Sequence, residues 1–363
     1  MIVRDEEETL ARCLESVAGV FDEIVVVDTG SQDATKQVAS RFTPTIVDFA
    51  WIDDFAAARN HAFGFATGDY LMWLDADDVL LEADRDKLLA LKNTLDPSVD
   101  AVTMLYNTAF DEAGNPIAST RRLRLVRRGM GFTWVGAVHE DLTIEQTYRY
   151  YDSDIVVTHR KPPGDGGPSP RNRRIFEKML AEGREMRPVD VLNYARELEF
   201  TKDFDQAIPY YEQFLASGHP DVQMTLFALH KLATCYFMAG RPDKEWECTL
   251  RSLELDVPRP EFSCRIGERF VARNQFQQAI FWYETALSDP AGAMGRPGTV
   301  ENHAFKTWLP HKQLGLCYFQ VGDYENSLRH NRMALTYLPA DQGIAANIGM
   351  LEQLIRERAQ SPT

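Results

Sequence analysis

The chain has 363 residues, of which 44% are hydrophobic and 11% aromatic, and its formal net charge at pH 7 is −15. This length suggests two or three domains, and the apolar content is that of a folded protein rather than a disordered one. The acidic charge disfavours nucleic acid and anionic membranes as partners, and no apolar run approaches the roughly 20 residues of a membrane helix. Five cysteines without a C-x-x-C spacing predict reduced, buried thiols and a cytoplasmic location.

Up to about residue 160, strand patterns alternate with helical ones. The apolar runs "EIVVVD" (residues 23–28) and "DYLMWLD" (residues 69–75) have the length of buried strands. Further strands are predicted in "TPTIVDF" and "DAVTMLYNTAF", with "DEAGNP" (residues 111–116) as a hairpin turn. Leu10, Cys13, Leu14 and Val17 recur at helical spacing. This alternation predicts an α/β domain with a largely parallel sheet over residues 1–160.

A Pro/Gly-rich segment, "KPPGDGGPSP" (residues 161–170), marks the predicted domain boundary. Beyond it, over residues 171–363, strand patterns give way to helical ones. "FDQAIPYYEQFL" begins at Phe204 and "FQQAIFWYETAL" at Phe276, an offset of 72 residues (276 − 204), or twice 36.

The second half of the repeat supports the same period. "LATCYFMAGRPDKEW" from Leu232 aligns with "LGLCYFQVGDYENSL" from Leu314, with Gly240 and Gly322 closing a helix in each. This pattern resembles tetratricopeptide repeats, whose helix pairs stack because one pair cannot bury its own apolar face. Residues 289–304 are predicted to form an insertion loop. A generic helical bundle is the alternative.

Carboxylates follow two of the predicted strands. Asp28 ends "EIVVVD", and the cluster Asp75, Asp77 and Asp78 follows "YLMWL". In an open α/β sheet, ligands bind beyond the carboxyl ends of the strands. Oxygen ligands at this spacing suit a hard divalent cation, which takes substrate phosphate oxygens as well. The alternative is an acidic turn that is simply solvated.

Four motifs occur in a characteristic order: "VVVDTGSQDAT", "WIDDFAAARNHAF", "YLMWLDADDVL" and "WVGAVHEDL". Together they resemble the family 2 glycosyltransferases, which have the GT-A fold. The resemblance is greatest to the branch with C-terminal tetratricopeptide repeats, which includes peptide S-glycosyltransferases of bacteriocin pathways. Members of the family usually carry several residues before the position of Met1.

The resemblance implies a UDP-sugar donor and a Mn²⁺ or Mg²⁺ ion. Asp28 would contact the nucleobase, and Asp75 the ribose. Asp77 would bind the metal, with Asp78 supporting it or capping the next helix. The other implied contacts are the turn residues Thr29, Gly30 and Ser31, the pocket residues Arg59 and Asn60, and His159 as a second metal ligand. Arg59 as a helix-surface charge and His159 as a surface histidine are the alternatives.

The segment "VGAVHEDL" holds three candidate catalytic residues: His139, Glu140 and Asp141. An acceptor hydroxyl or thiol must lose its proton as it attacks the sugar, so a base is needed. Glu140 is the first candidate and Asp141 the second, with His139 turned toward phosphate or backbone. A helix-start charge is the alternative for Glu140.

The resemblance therefore implies a metal-dependent, inverting enzyme. It would move a hexose or N-acetylhexosamine to a Ser, Thr or Cys side chain of a polypeptide presented by the repeats. Two other hypotheses are a tetratricopeptide scaffold with a residual nucleotide-binding domain, and an enzyme that acts on a glycan or lipid. In the latter case the repeats would serve only homo-oligomerisation.

Overall fold

The computed structural model describes residues 1–111, 114–160, 170–289 and 300–360. The chain forms two compact units. The first includes Met1–Gly218, and the second includes His219–Met294 and Glu301–Thr363. Almost all of the predicted linker, residues 161–170, lies outside the described residues, as do most of the predicted insertion loop and part of the hairpin turn at residues 111–116. The domain boundaries drawn from sequence stay predictions.

The first unit begins with alternating strands and helices and ends with helices alone. Its first elements are β1 (Ile2–Val3), α1 (Leu10–Ser16), β2 (Val26–Asp28), α2 (Thr35–Ala39), β3 (Ile46–Asp48), α3 (Phe55–Phe65), β4 (Tyr70–Met72), β5 (Asp78–Leu80) and α4 (Glu82–Thr94). Then follow β6 (Ala101–Phe110), β7 (Pro116–Arg127), β8 (Thr133–Val135), β9 (Asp141–Thr143), β10 (Tyr150–His159), α5 (Pro170–Ala181), α6 (Pro188–Phe200) and α7 (Phe204–Ala216).

Two sheets carry this unit. The strands β1, β2 and β3 pair in parallel, with Val27 opposite Ile2 and Val47. Side chains of α1 and α2 pack with one set of strand residues, and α3 packs with another, so helices cover both faces as in other α/β folds.

Within the first unit, the strands of the second sheet have the order β7-β6-β10-β5, with β4 pairing β7. Only β10 and β6 are parallel; the other three pairings are antiparallel. The expected largely parallel sheet is therefore found in β1 to β3 and is wrong for the second sheet. The short connection between β6 and β7 requires an antiparallel pair, since a parallel one needs a long crossover.

The second sheet brings distant polar residues together. Because β10 runs antiparallel to β5, His159 at the end of β10 lies opposite Asp78 at the start of β5. Met72 ends β4, and a turn over Asp75–Asp78 leads into β5. The acidic run thus lies between two strands of one sheet, beside the last residue of a third.

The second unit is helical apart from a short strand. Its elements are α8 (Val222–Met238), α9 (Pro242–Ser252), α10 (Pro260–Val271), α11 (Phe276–Ser288), β11 (Val300–Asn302), a 3-10 turn at His303–Lys306, α12 (Trp308–Gln320), α13 (Tyr324–Tyr337) and α14 (Gln342–Gln360). Gly240 and Gly322 end α8 and α12 with positive φ angles of 70° and 81°. A left-handed residue here is the usual way to close a helix, as the sequence predicts.

Small residues allow the helices of a pair to approach. A Cβ atom on Gly267 of α10 would lie 2.9 Å from the ring of Tyr283 on α11. Helix pairs in close contact, joined in series along the chain, are tetratricopeptide-like. All five cysteines are unpaired and buried in helices, as predicted. Within the described ranges, no helix has the length and hydropathy required to cross a bilayer.

Candidate functional site

A cavity of about 360 Å³ lies in the first unit, beside the ends of β1 and β4. Its position agrees with the rule that α/β sheets bind ligands beyond the carboxyl ends of their strands. Seven of the predicted site residues line it: Thr29, Arg59, Asp75, Asp77, His139, Glu140 and His159. Five do not: Asp28, Gly30, Ser31, Asn60 and Asp141.

Arg59 lines the cavity and contacts two carboxylates that line it as well. Its Nη2 atom donates to Asp75 Oδ1 at 2.6 Å, and its Nε atom donates to Glu140 Oε1 at 2.5 Å. The guanidinium also lies 5.0 Å and 4.9 Å from the ring centroids of Trp73 and Trp134, in cation–π geometry. Burial alone would lower the pKa of Arg59, but the two carboxylates raise it, so this side chain stays charged.

The carboxylates after β4 each have a cationic partner. Burial alone would raise the pKa of Asp75, but the charges of Arg59 and Arg124 outweigh it and lower that pKa to about 2. Asp78 is fully buried and accepts from Arg124 Nη1 at 2.9 Å. The third carboxylate, Asp77, lies 3.2 Å from His159 Nδ1.

Asp77, Asp78 and His159 form a group with the donor set of a divalent metal site. Their ligand atoms all lie within 4.8 Å of one another. Tyr106 Oη also lies 2.8 Å from His159 Nδ1. Burial would lower the pKa of His159, but hydrogen bonds to the two aspartates raise it to about 9. Two carboxylates and an imidazole suit Mn²⁺ or Mg²⁺, and a metal here would replace the proton on Nδ1.

The turn after β2 is closed by hydrogen bonds to the side chain of Asp28. Asp28 Oδ1 accepts from the backbone N–H groups of Gly30 and Ser31 at 2.9 and 3.0 Å. Gly30 has a φ of +106°, a conformation that favours glycine. Asp28 is buried, and its Oδ2 atom has no hydrogen-bond partner among the described residues. A buried acceptor of this kind fits a ligand N–H group.

Asn60 and Asp141 lie away from the cavity. The amide of Asn60 donates to the backbone carbonyl of Trp134 and accepts from its N–H, at 2.9 and 2.8 Å. It thereby fixes the segment that carries Trp134. Asp141 forms an ion pair with Arg122 at 3.0 Å. Both side chains hold the walls of the cavity in place.

The segment from Gly136 to Glu140 lies between α3 and the helices α5 and α6. His139 Nε2 lies 2.6 Å from Glu197 Oε1 of α6, a side-chain partner that the sequence did not predict, and His139 also lines the cavity. Two α5 residues, Arg171 and Asn172, line the cavity with this segment.

Sequence reasoning missed four polar contributors: Tyr106, Arg124, Arg171 and Glu197. Only Arg124 has a local signal. The basic run "RRLRLVRR" (residues 121–128) could balance the acidic residues after β4. Strand alternation in β7 places Arg124 on the face of the buried Val126.

Comparison with known proteins gives the class. The profile of Glycosyl transferase family 2 matches residues 1–134. The glycosyltransferase SunS of the SPbeta prophage in Bacillus subtilis is 26% identical over 222 residues, covering 59% of this chain and 51% of SunS. A TPR repeat-containing protein of Synechococcus elongatus is 41% identical over 142 residues, covering 39% of this chain and 34% of that protein. This chain therefore spans about half the length of one relative and about a third of the other.

A solved tetratricopeptide repeat protein from Parabacteroides merdae covers 52% of this chain at 14% identity, with a TM-score of 0.38. The family 2 profile and the similarity to SunS show that the N-terminal region is a glycosyltransferase family 2 domain, and the helices that follow it form a tetratricopeptide-like region. This confirms the predicted family and fold class.

Proposed function

We propose that this protein transfers a hexose or N-acetylhexosamine from a UDP-sugar to a Ser, Thr or Cys side chain of a polypeptide. The observation that carries the proposal is that Arg59 donates hydrogen bonds to both Asp75 and Glu140. Asp77 and His159 line the same cavity. Groups suited to the donor and a group suited to the acceptor proton therefore meet in one place.

On the donor side, the unpartnered Oδ2 of Asp28 would accept the N3–H of uracil. Asp75 would bind the ribose. Asp77 and His159, with Asp78, would hold Mn²⁺ or Mg²⁺, which when bound neutralises diphosphate charge.

The donor's diphosphate needs a further cation, because both carboxylates beside Arg59 already balance its charge. Arg171 on α5 lines the cavity with its guanidinium 4.7 Å from the ring centroid of Phe55. Arg171 is exposed to solvent, the charges of Glu140 and Glu6 act on it without a contact ion pair, and among the described residues no carboxylate lies within ion-pair distance of it. A guanidinium that lines a cavity without an ion-pair partner favours an anionic ligand, and we assign Arg171 to the diphosphate.

On the acceptor side, Glu140 is the proposed base. The acceptor O–H or S–H gives its proton to Glu140 as the oxygen or sulfur forms a bond to C1 of the sugar. The bond from C1 to the phosphate oxygen breaks at the same time, and UDP leaves with the electron pair. Attack opposite the leaving group inverts C1. Arg59 holds Glu140 in the cavity throughout.

The helical region is the proposed polypeptide-binding part. Stacked helix pairs present a continuous surface, which suits an extended chain better than a small molecule. The similarity to SunS, itself described as a glycosyltransferase, supports the transfer reaction and leaves the acceptor to the helical region.

The test is UDP release from a panel of UDP-sugars, with and without Mn²⁺, by wild type and by Glu140→Gln. Wild type should release UDP from one donor, and the variant should bind that donor normally but turn over roughly 10²–10⁴-fold more slowly. Release from no donor, together with no UDP binding, would favour a scaffold. Donor turnover that responds to a glycan or lipid but to no polypeptide would overturn the acceptor assignment.

A further inference from the structure

Glu197 on α6 is a buried carboxylate that contacts the loop carrying the proposed base. Its side chain is 8% exposed, and its Oε1 atom lies 2.6 Å from His139 Nε2. Asn172 Nδ2 of α5 donates to the same oxygen at 3.3 Å. Burial would raise the pKa of Glu197, and the hydrogen bond from His139 outweighs this effect and lowers it. A buried carboxylate is stable only with such partners.

The loop itself has a backbone that needs support from outside. Gly136 has a φ of +112° and His139 a φ of +53°, a conformation that non-glycine residues rarely adopt. A Cβ atom on Gly136 would lie 2.6 Å from Arg187 Nη2 at the start of α6. On the opposite side, the Phe55 N–H of α3 donates to the carbonyl of Ala137 at 2.9 Å.

Neighbouring residues of this loop are held from different sides. His139 is bonded to α6 through Glu197, and Glu140 is bonded to α3 through Arg59. Because the two residues are adjacent, the direction of one side chain limits the direction of the other.

We propose that Glu197 is a positioning residue for glycosyl transfer, which acts through His139 to hold Glu140 against Arg59 in the cavity. The inference rests on the proposed function of Glu140 as the base. It extends the proposed catalytic machinery to α6. Charged groups near this contact are Arg196 of α6, which acts on Glu197, and Arg171 and Glu140, which line the cavity with His139.

The experiment is a double-mutant cycle in the full-length protein with the donor that wild type turns over. Glu197→Ala should lower kcat by about ten- to a hundredfold while KM for the donor stays within about twofold, because only the base is misplaced. Glu197→Gln, which can still accept from His139, should restore most of the rate. In a Glu140→Gln background, Glu197→Ala should cost little more, since the group that it positions has lost its function.

Glu199→Gln is the matched control, because Glu199 lies on the same helix and accepts from Tyr211 Oη instead. It should leave kcat unchanged. A full Glu197→Ala loss in the Glu140→Gln background would overturn the inference, as would an unchanged kcat in Glu197→Ala. If Glu197→Ala does not fold, Glu197→Met, which has a similar size and removes the carboxylate acceptor, takes its place in the same cycle. Wild type that turns over no donor would instead overturn the proposed function, and this inference with it.

Discussion

Asp78 and Arg124 form an ion pair of 2.9 Å in which neither side chain is exposed to solvent. Arg124 also lies 3.7 Å from the ring centroid of Trp73 and 4.2 Å from that of Tyr106. A buried guanidinium of this kind is stable only while its carboxylate stays ionised. Asp78 is therefore fixed in charge and place, whereas Asp77 beside it lines the cavity.

The two aspartates should respond differently to substitution. Asp77→Asn should abolish the Mn²⁺ dependence of UDP binding and leave folding intact, because it removes a cavity-lining ligand. Asp78→Asn should lower the free energy of unfolding by about 3–5 kcal/mol, because it leaves Arg124 buried without a counter-charge. Calorimetry of UDP with Mn²⁺ or EDTA, and urea unfolding, measure the two effects. Equal UDP affinity of wild type in Mn²⁺ and in EDTA would contradict the metal assignment.

Arg171 should contribute to donor affinity through the diphosphate alone. Arg171→Gln should weaken UDP binding about tenfold or more, the size expected for loss of a charge-assisted hydrogen bond, and leave uridine binding unchanged. Arg174→Gln on the same helix is the control, since Arg174 does not line the cavity and pairs with Asp53 at 3.7 Å. Calorimetry with both ligands tests the assignment, and equal losses for UDP and uridine would rule it out.

The smallest active fragment should end near Gly218 rather than near Arg160. Residues 1–160 lack Arg171, Asn172 and Glu197, so the loop and cavity lose their α5 and α6 contacts. A fragment of residues 1–218 keeps α5, α6 and α7 of the first unit. It should hydrolyse donor slowly without modifying a polypeptide. UDP release by the two fragments tests this. Equal release by both would show that α5 and α6 are dispensable for donor chemistry.

These predictions show where the sequence was informative. Asp28, Asp75, Asp77 and Glu140 belong to local motifs, so their place at strand ends or in the cavity could be inferred before the structure. Glu197 could not, because no local pattern marks it and its partner His139 is 58 positions away in the chain, so that only the fold brings them together. Asn60 shows the opposite error. Its motif suggested a pocket residue, but both ends of its amide bond the Trp134 backbone.

The second unit should lose stability in mild acid through His330. This side chain is 5% exposed, and its Nδ1 atom lies 2.9 Å from His311 Nδ1 while its Nε2 atom accepts from Arg329 at 3.2 Å. Burial, followed by the charges of His311 and Arg329, lowers the pKa of His330 from 6.5 to about 4. The unfolded chain therefore binds more protons between these values, and stability must fall as the pH falls through this range.

The loss should reach at most about 3 kcal/mol near pH 4, at 1.36 kcal/mol per pKa unit. His330→Asn, which does not titrate, should flatten most of the slope. Urea unfolding followed by circular dichroism from pH 7 to pH 4 measures it. An equally steep slope in His330→Asn would assign the acid sensitivity to another group.

The aromatic setting of Arg59 makes the cavity an optical reporter of its own occupancy. Three of the six tryptophans, Trp51, Trp73 and Trp134, line it, and Trp73 and Trp134 meet edge-to-face with centroids 5.0 Å apart. Indole emission responds to nearby charge and to water, both of which change when a diphosphate enters. Intrinsic fluorescence should therefore follow donor binding in real time without a label, and Trp134→Phe should remove much of the signal.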